Sequence, residues 1–122
     1  MRTFEASLRL YSQHVDLNAL CRDANLLPCG VPMDPPHGNG FCVVPLDFRD
    51  MDLQDAVAAV CSDLAPHRQS LRQLRKRGGE IELSVIWYAA GAASGSVDAK
   101  RLKQLGELGI DLAISVYSSR RV

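Results

Sequence analysis

Between Glu80 and Tyr117 the apolar residues change period twice, and that change dictates how the chain must run there. Ile81, Leu83, Val85 and Trp87 alternate with Glu82, Ser84, Ile86 and Tyr88, the period-2 pattern of a strand. A small-residue segment from Ala89 to Ser96 follows, and Asp98 then opens a helix with Leu102 and Leu105 inward. Gly106 shares that inward side, where the lack of a side chain would let the helix approach the sheet closely. Gly109 permits a left-handed cap that folds Ile110 back onto Leu105, and Leu112, Ile114 and Val116 alternate again, to be buried as a last strand from Ile110 to Tyr117. Strand, helix and strand of these lengths form a right-handed crossover, so the two strands are expected to run parallel.

The rest of the chain follows the same logic. Phe4, Ala6, Leu8 and Leu10 alternate with Glu5, Ser7, Arg9 and Tyr11, a strand with one core face. Asp16 caps a short helix that buries Leu17, Leu20, Cys21 and Ala24 and stops before Pro28. Residues 28 to 40 hold Pro28, Gly30, Pro32, Pro35, Pro36, Gly38 and Gly40, which predicts a long surface loop. Phe41 to Leu46 is extended, and Pro45, unable to donate to a ladder, places that strand at a sheet edge. Asp52 caps the longest helix, whose stripe of Leu53, Val57, Val60, Leu64, His67, Leu71 and Leu74 runs through Pro66 to Gly78-Gly79. Pro66 predicts one kinked helix, or two helices meeting there. The order β-α-β-α-β-α-β implies an α+β fold: a sheet of about four strands with helices packed on one face, one globular domain over residues 1–122.

The 14 basic and 14 acidic side chains cancel, leaving no net field for phosphate backbones or an anionic membrane. Nucleic acid is therefore disfavoured and no membrane partner is expected. No apolar run has the length of a membrane span or signal segment, and the default expectation is a cytoplasmic protein. Cys21, Cys29, Cys42 and Cys61 form no C-x-x-C pair, and two fall on apolar helical stripes, so reduced, buried thiols are expected. No G-x-G-x-x-G, P-loop, G-x-S-x-G or H-E-x-x-H sequence occurs, and no cofactor is implied.

Two stretches carry a resemblance. Ala6-Ser7-Leu8-Arg9-Leu10-Tyr11 with its short helix is one; the other runs from Leu64-Ala65-Pro66-His67 through Gly78-Gly79-Glu80-Ile81-Glu82-Leu83 to Leu105-Gly106-Glu107-Leu108-Gly109-Ile110-Asp111-Leu112. Together they resemble the bacterial domain-of-unknown-function 4279 family. In the middle, Pro32-Met33-Asp34-Pro35-Pro36-His37-Gly38-Asn39-Gly40 stands where the resemblance implies a Trp-containing, Gly-rich segment, and the only Trp is Trp87. What the resemblance implies is the fold and a bacterial origin. That family has no assigned activity and offers no catalytic residue to carry over.

Few constellations could carry chemistry. Cys29, His37 and Cys42 match no standard zinc spacing, so no metal is expected. His67 interrupts an apolar stripe where Pro66 frees a carbonyl that its imidazole could satisfy, which favours a half-buried structural histidine over a general base. Arg68, Arg72, Arg75, Lys76 and Arg77 read as a solvated helix face. More informative is a pattern repeated on three strands: Glu5, Glu82 and Asp111 are each followed two residues on by Ser7, Ser84 and Ala113, and six on by Tyr11, Tyr88 and Tyr117. All lie on the non-core face. The expected site is thus an aromatic patch of Tyr11, Tyr88 and Tyr117 with Arg9 and Glu82 beside it, Tyr11 joining only if its strand is parallel too. Such a face points to a non-catalytic binding or self-association module, its partner a second copy (a homodimer through the sheet face), another protein or a small molecule. The alternative is a small-molecule enzyme with His67 or Tyr88 as proton carrier.

Overall fold

The four extended segments become strands β1 (Phe4–Tyr11), β2 (Phe41–Leu46), β3 (Glu80–Ala89) and β4 (Asp111–Ser118), and the helices are α1 (Leu17–Asp23), α2 (Leu53–Leu64), α3 (Arg68–Lys76) and α4 (Ala99–Leu108). The computed structural model describes residues 4–27, 40–47, 52–89 and 95–118. The strands form one mixed sheet in the order β2-β1-β3-β4. β1 is antiparallel to both neighbours, while β3 and β4 are parallel, as the helical crossover between them requires. β2 lies at an edge with Pro45 opposite Ser7. Buried residues of all four helices join Leu8, Leu10, Ile81, Leu83 and Val85 in one core, which makes this an α+β fold. No helix among the described residues is long and apolar enough to cross a membrane.

Local chemistry explains the element ends. After β1, the Ser12 hydroxyl accepts from the backbone N–H of His14 and Val15, turning the chain toward Asp16. Asp16 caps α1 by accepting from Asn18 and Ala19. The helix ends well before Pro28, because Asn25 adopts a left-handed φ of 56° and Leu26 N–H returns to the Cys21 carbonyl at 2.8 Å. Pro66 does split the long stripe: α2 and α3 are separate helices joined by a 3₁₀ turn, Ala65–His67. His67 is half-buried at the start of α3, and its side chain does not cap that helix. Gly109, at φ 73°, caps α4 and lets Ile110 N–H reach the Leu105 carbonyl at 2.9 Å, which buries Ile110 beside Leu105 as expected.

Two packing expectations fail. Leu102 is 48% exposed and a Cβ on Gly106 would meet nothing, so Gly106 is not a close-approach point. The stripe that faces inward is Leu105 and Leu108 with half-buried Arg101 and Gln104; Leu102 lies about 90° around the helix from the midpoint of the two leucines. β4 also departs from expectation, since Ile114 is 46% and Val116 64% exposed. Their side of the sheet faces the helix layer, but α4 turns into β4 at Gly109 and its buried leucines lie at the end that feeds Leu112.

Asp98 ties α4 to the start of α2. Its carboxylate accepts from Arg101 N–H at 2.9 Å and from the Gln54 side-chain Nε2 at 2.7 Å, while its own backbone N–H donates to the Gln54 side-chain Oε1 at 3.0 Å. The Arg101 backbone bond, followed by the Gln54 bond and the Arg101 and Lys100 cations, holds this carboxyl below its ordinary 3.8. The ionised form therefore stabilises the fold above that pH, and the contribution fades as pH falls through the depressed value. Asp98→Asn should flatten the acid limb of a pH series of thermal melts; an unchanged limb would show that the bridge contributes nothing.

Cys21, Cys42 and Cys61 are buried free thiols, whereas Cys29 and His37 lie outside the described residues. The Cys21 and Cys42 sulfurs are 3.5 Å apart. Burial first, then the Cys42 hydrogen bond, pushes the Cys21 thiol up to about 12. Its stabilising effect is complete below the ordinary 9.0 and is lost as pH rises toward the folded value. Because the thiolate is the nucleophile, Cys21 should resist alkylation in the native protein at mildly alkaline pH and react after unfolding. Equal rates in both states, read by peptide mass mapping, would show that α1 opens freely.

Candidate interaction surface

The face of the sheet opposite the helices is organised in rows set by strand register. Tyr11 pairs with Glu80 and Phe41 at one end; Arg9, Glu82 and Asp111 form the next row; Ser7, Ser84 and Ala113 the middle; Glu5, Ile86 and Ser115 the fourth; Tyr88 and Tyr117 the last. Ser84, in the middle of the small-residue row, is buried.

The three tyrosines do not make one patch. Tyr88 and Tyr117 are register partners with rings stacked at 6.3 Å between centroids and 27° between planes. Tyr11 stands at the far end, opposite Glu80, about 26 Å along β3 from Tyr88, and packs instead on the Phe41 ring at 4.7 Å. The cause is direction: β1 runs antiparallel to β3, so an equal spacing from acid to Tyr points opposite ways on the two strands.

Charge on this face is concentrated in the second row. Arg9 is register partner to Glu82, as Glu82 is to Asp111, which places two carboxylates side by side. Asp111 is drawn off toward Arg75 at 3.6 Å, so α3 holds the start of β4. Both members of that pair are well exposed, and its worth is small. Arg9 is half-buried with its Nε unpartnered. The sequence pattern named Arg9 and Glu82 as site residues but gave no sign that they are neighbours.

At the aromatic end, the Tyr88 hydroxyl donates to Glu5 at 3.4 Å. Partial desolvation, then the Glu5 carboxylate and Tyr117, raise the Tyr88 phenol above its ordinary 10.0. Tyr88 is thus a neutral hydrogen-bonding group at physiological pH. Comparison with known proteins found no matching family model, no similar curated protein and no similar solved structure. The geometry therefore stands alone.

A groove of about 570 Å³ between α2 and α4 is lined by Cys61, Ser62, Arg68, Arg101, Gln104 and Glu107, with alanines and Leu108 around them. The helical pattern did not point to it, because it set Leu102 inward with Leu105, whereas Arg101 and Gln104 occupy the inward side and Leu102 is exposed. The groove contains neither His67 nor Tyr88.

Proposed function

We propose that this protein is a non-catalytic self-association module, with a second copy of the chain docking on the β3–β4 side of its sheet. One observation carries the reading: exposed apolar side chains gather on this half, Tyr88 and Tyr117 on the open face and Ile114 and Val116 on the other. Scattered apolar residues need no explanation, but these four make two adjoining pairs, Tyr88 with its register partner Tyr117 on one face and Ile114 with Val116 along β4 on the other. The enzyme alternative would need His67 or Tyr88 in a cleft with convergent polar groups. Tyr88 stands on an open face as a neutral phenol, and the α2–α4 groove holds neither residue. The resemblance to a family without assigned activity supplies no catalytic residue against this reading.

Light scattering on the purified chain tests it directly. The expected result is a dimer whose mass falls toward that of a monomer on dilution. A monomer at every concentration would remove the self-association reading.

A further inference from the structure

The outer border of β4 is the least protected part of the sheet, and we infer that it is the contact: two copies join β4 to β4, antiparallel, about a two-fold axis, and continue one sheet into the next. This deepens the self-association reading and rests on it. β4 ends the strand order, so one side of its backbone pairs with β3 and the other with no strand among the described residues. Unpaired N–H and C=O groups along an edge are a template for another strand, and proteins blunt such edges with Pro, Lys or bulges.

The two edges of this sheet differ. β2 is six residues long and carries exposed Pro45. β4 is eight residues long and reads Asp-Leu-Ala-Ile-Ser-Val-Tyr-Ser, with no Pro, Gly, Lys or Arg and its one charge at the first position. It is also apolar on both faces at once: Ile114 and Val116 are exposed on the helix side and Tyr117 on the open side. The alternation of β4 calls for burial of Ile114 and Val116, and the single chain does not bury them.

A second copy covers them. A two-fold axis perpendicular to the sheet keeps both helix layers on one side, so residues opposite each other must belong to the same face. The register centred on Ile114 meets that condition. It sets Ile114 against its own counterpart, Val116 against the Leu112 of the second copy, and Ala113 against Ser115. Asp111 then faces a tyrosine hydroxyl, Tyr117 of the second copy, and no like charges are opposed. Tyr88, one strand in from the border, makes no contact across it.

The test uses charge at position 114, where the native side chain is already half exposed and the fold tolerates a polar group. Ile114→Lys and Ile114→Glu, each alone, should weaken the dimer about tenfold or more by placing like charges opposite each other. An equimolar mixture of the two should restore the dimer, while circular dichroism of each remains that of the wild type. Tyr88→Glu should leave the mass unchanged. If Ile114→Lys keeps its dimer and Tyr88→Glu loses it, the copies meet through the open face; the border inference is then wrong and the self-association reading stands. A mixture that stays monomeric would overturn the register, and a wild-type monomer would overturn both readings.

Discussion

Replacing Leu83 by Ala is expected to destabilise the protein by about 3–5 kcal/mol, a large part of the about 5–15 kcal/mol that a domain of this size has in total. Leu83 is 1% exposed at the centre of β3, with Leu8 opposite on β1 and Leu112 on β4. Truncation removes transfer free energy and leaves a cavity that the hydrogen-bonded strands on both sides cannot close. Urea denaturation should show the midpoint falling with the slope unchanged. Leu83→Met, which conserves volume, should cost below about 1.5 kcal/mol. A loss under about 1 kcal/mol for the Ala variant would mean that the helices settle into the space.

Gly79→Ala should cost about 2–3 kcal/mol although it adds a single methyl group. Gly79 is buried where α3 passes into β3, and a Cβ there would lie 2.6 Å from Leu74 Cδ1 and 2.7 Å from the Tyr11 carbonyl oxygen. Leu74 is fully buried and the Tyr11 oxygen belongs to β1 backbone, so neither neighbour has room to retreat. Gly106→Ala is the matched control. A Cβ at Gly106 would meet nothing and the residue lies within α4, so this change should stabilise by about 0.5–1 kcal/mol through helix propensity. Thermal or chemical denaturation showing both substitutions neutral would mean that β1 and α3 pack less tightly than the 2.7 Å approach implies.

These substitutions and the association test address different layers of the molecule. Leu83 and Gly79 act inside one chain, and their effects should not depend on protein concentration. Ile114 faces outward, so a charge there should change the concentration at which copies join more than the intrinsic stability of each copy.

What the sequence determined by itself was everything decided by short-range sterics and hydrogen bonding. Asp16, Asp52 and Asp98 cap helices because a carboxylate one turn ahead of orphan N–H groups is satisfied locally, whatever surrounds it. Gly109 turns because a left-handed φ has no Cβ penalty, Pro66 breaks a helix because it lacks an N–H, and Pro45 keeps β2 at an edge for the same reason. The adjacency of Tyr88 and Tyr117 was also legible, since a helical crossover allows β3 and β4 only one relative direction. Tertiary structure alone decided the rest. The direction of β1 separated Tyr11 from the other tyrosines and brought Arg9 beside Glu82, because a period-2 pattern reads the same from either end. The rotation of α4 placed Arg101 and Gln104 over the groove and Leu102 outside, because Leu102 and Leu108 both stand three residues from Leu105 and only contact with α2 and β4 selects between them. Alternation on β4 marked Ile114 and Val116 as residues to be covered; whether a helix of the same chain covers them depends on how α4 is turned, and it sets Leu105 and Leu108 inward at the end next to Leu112 and leaves Leu102 exposed.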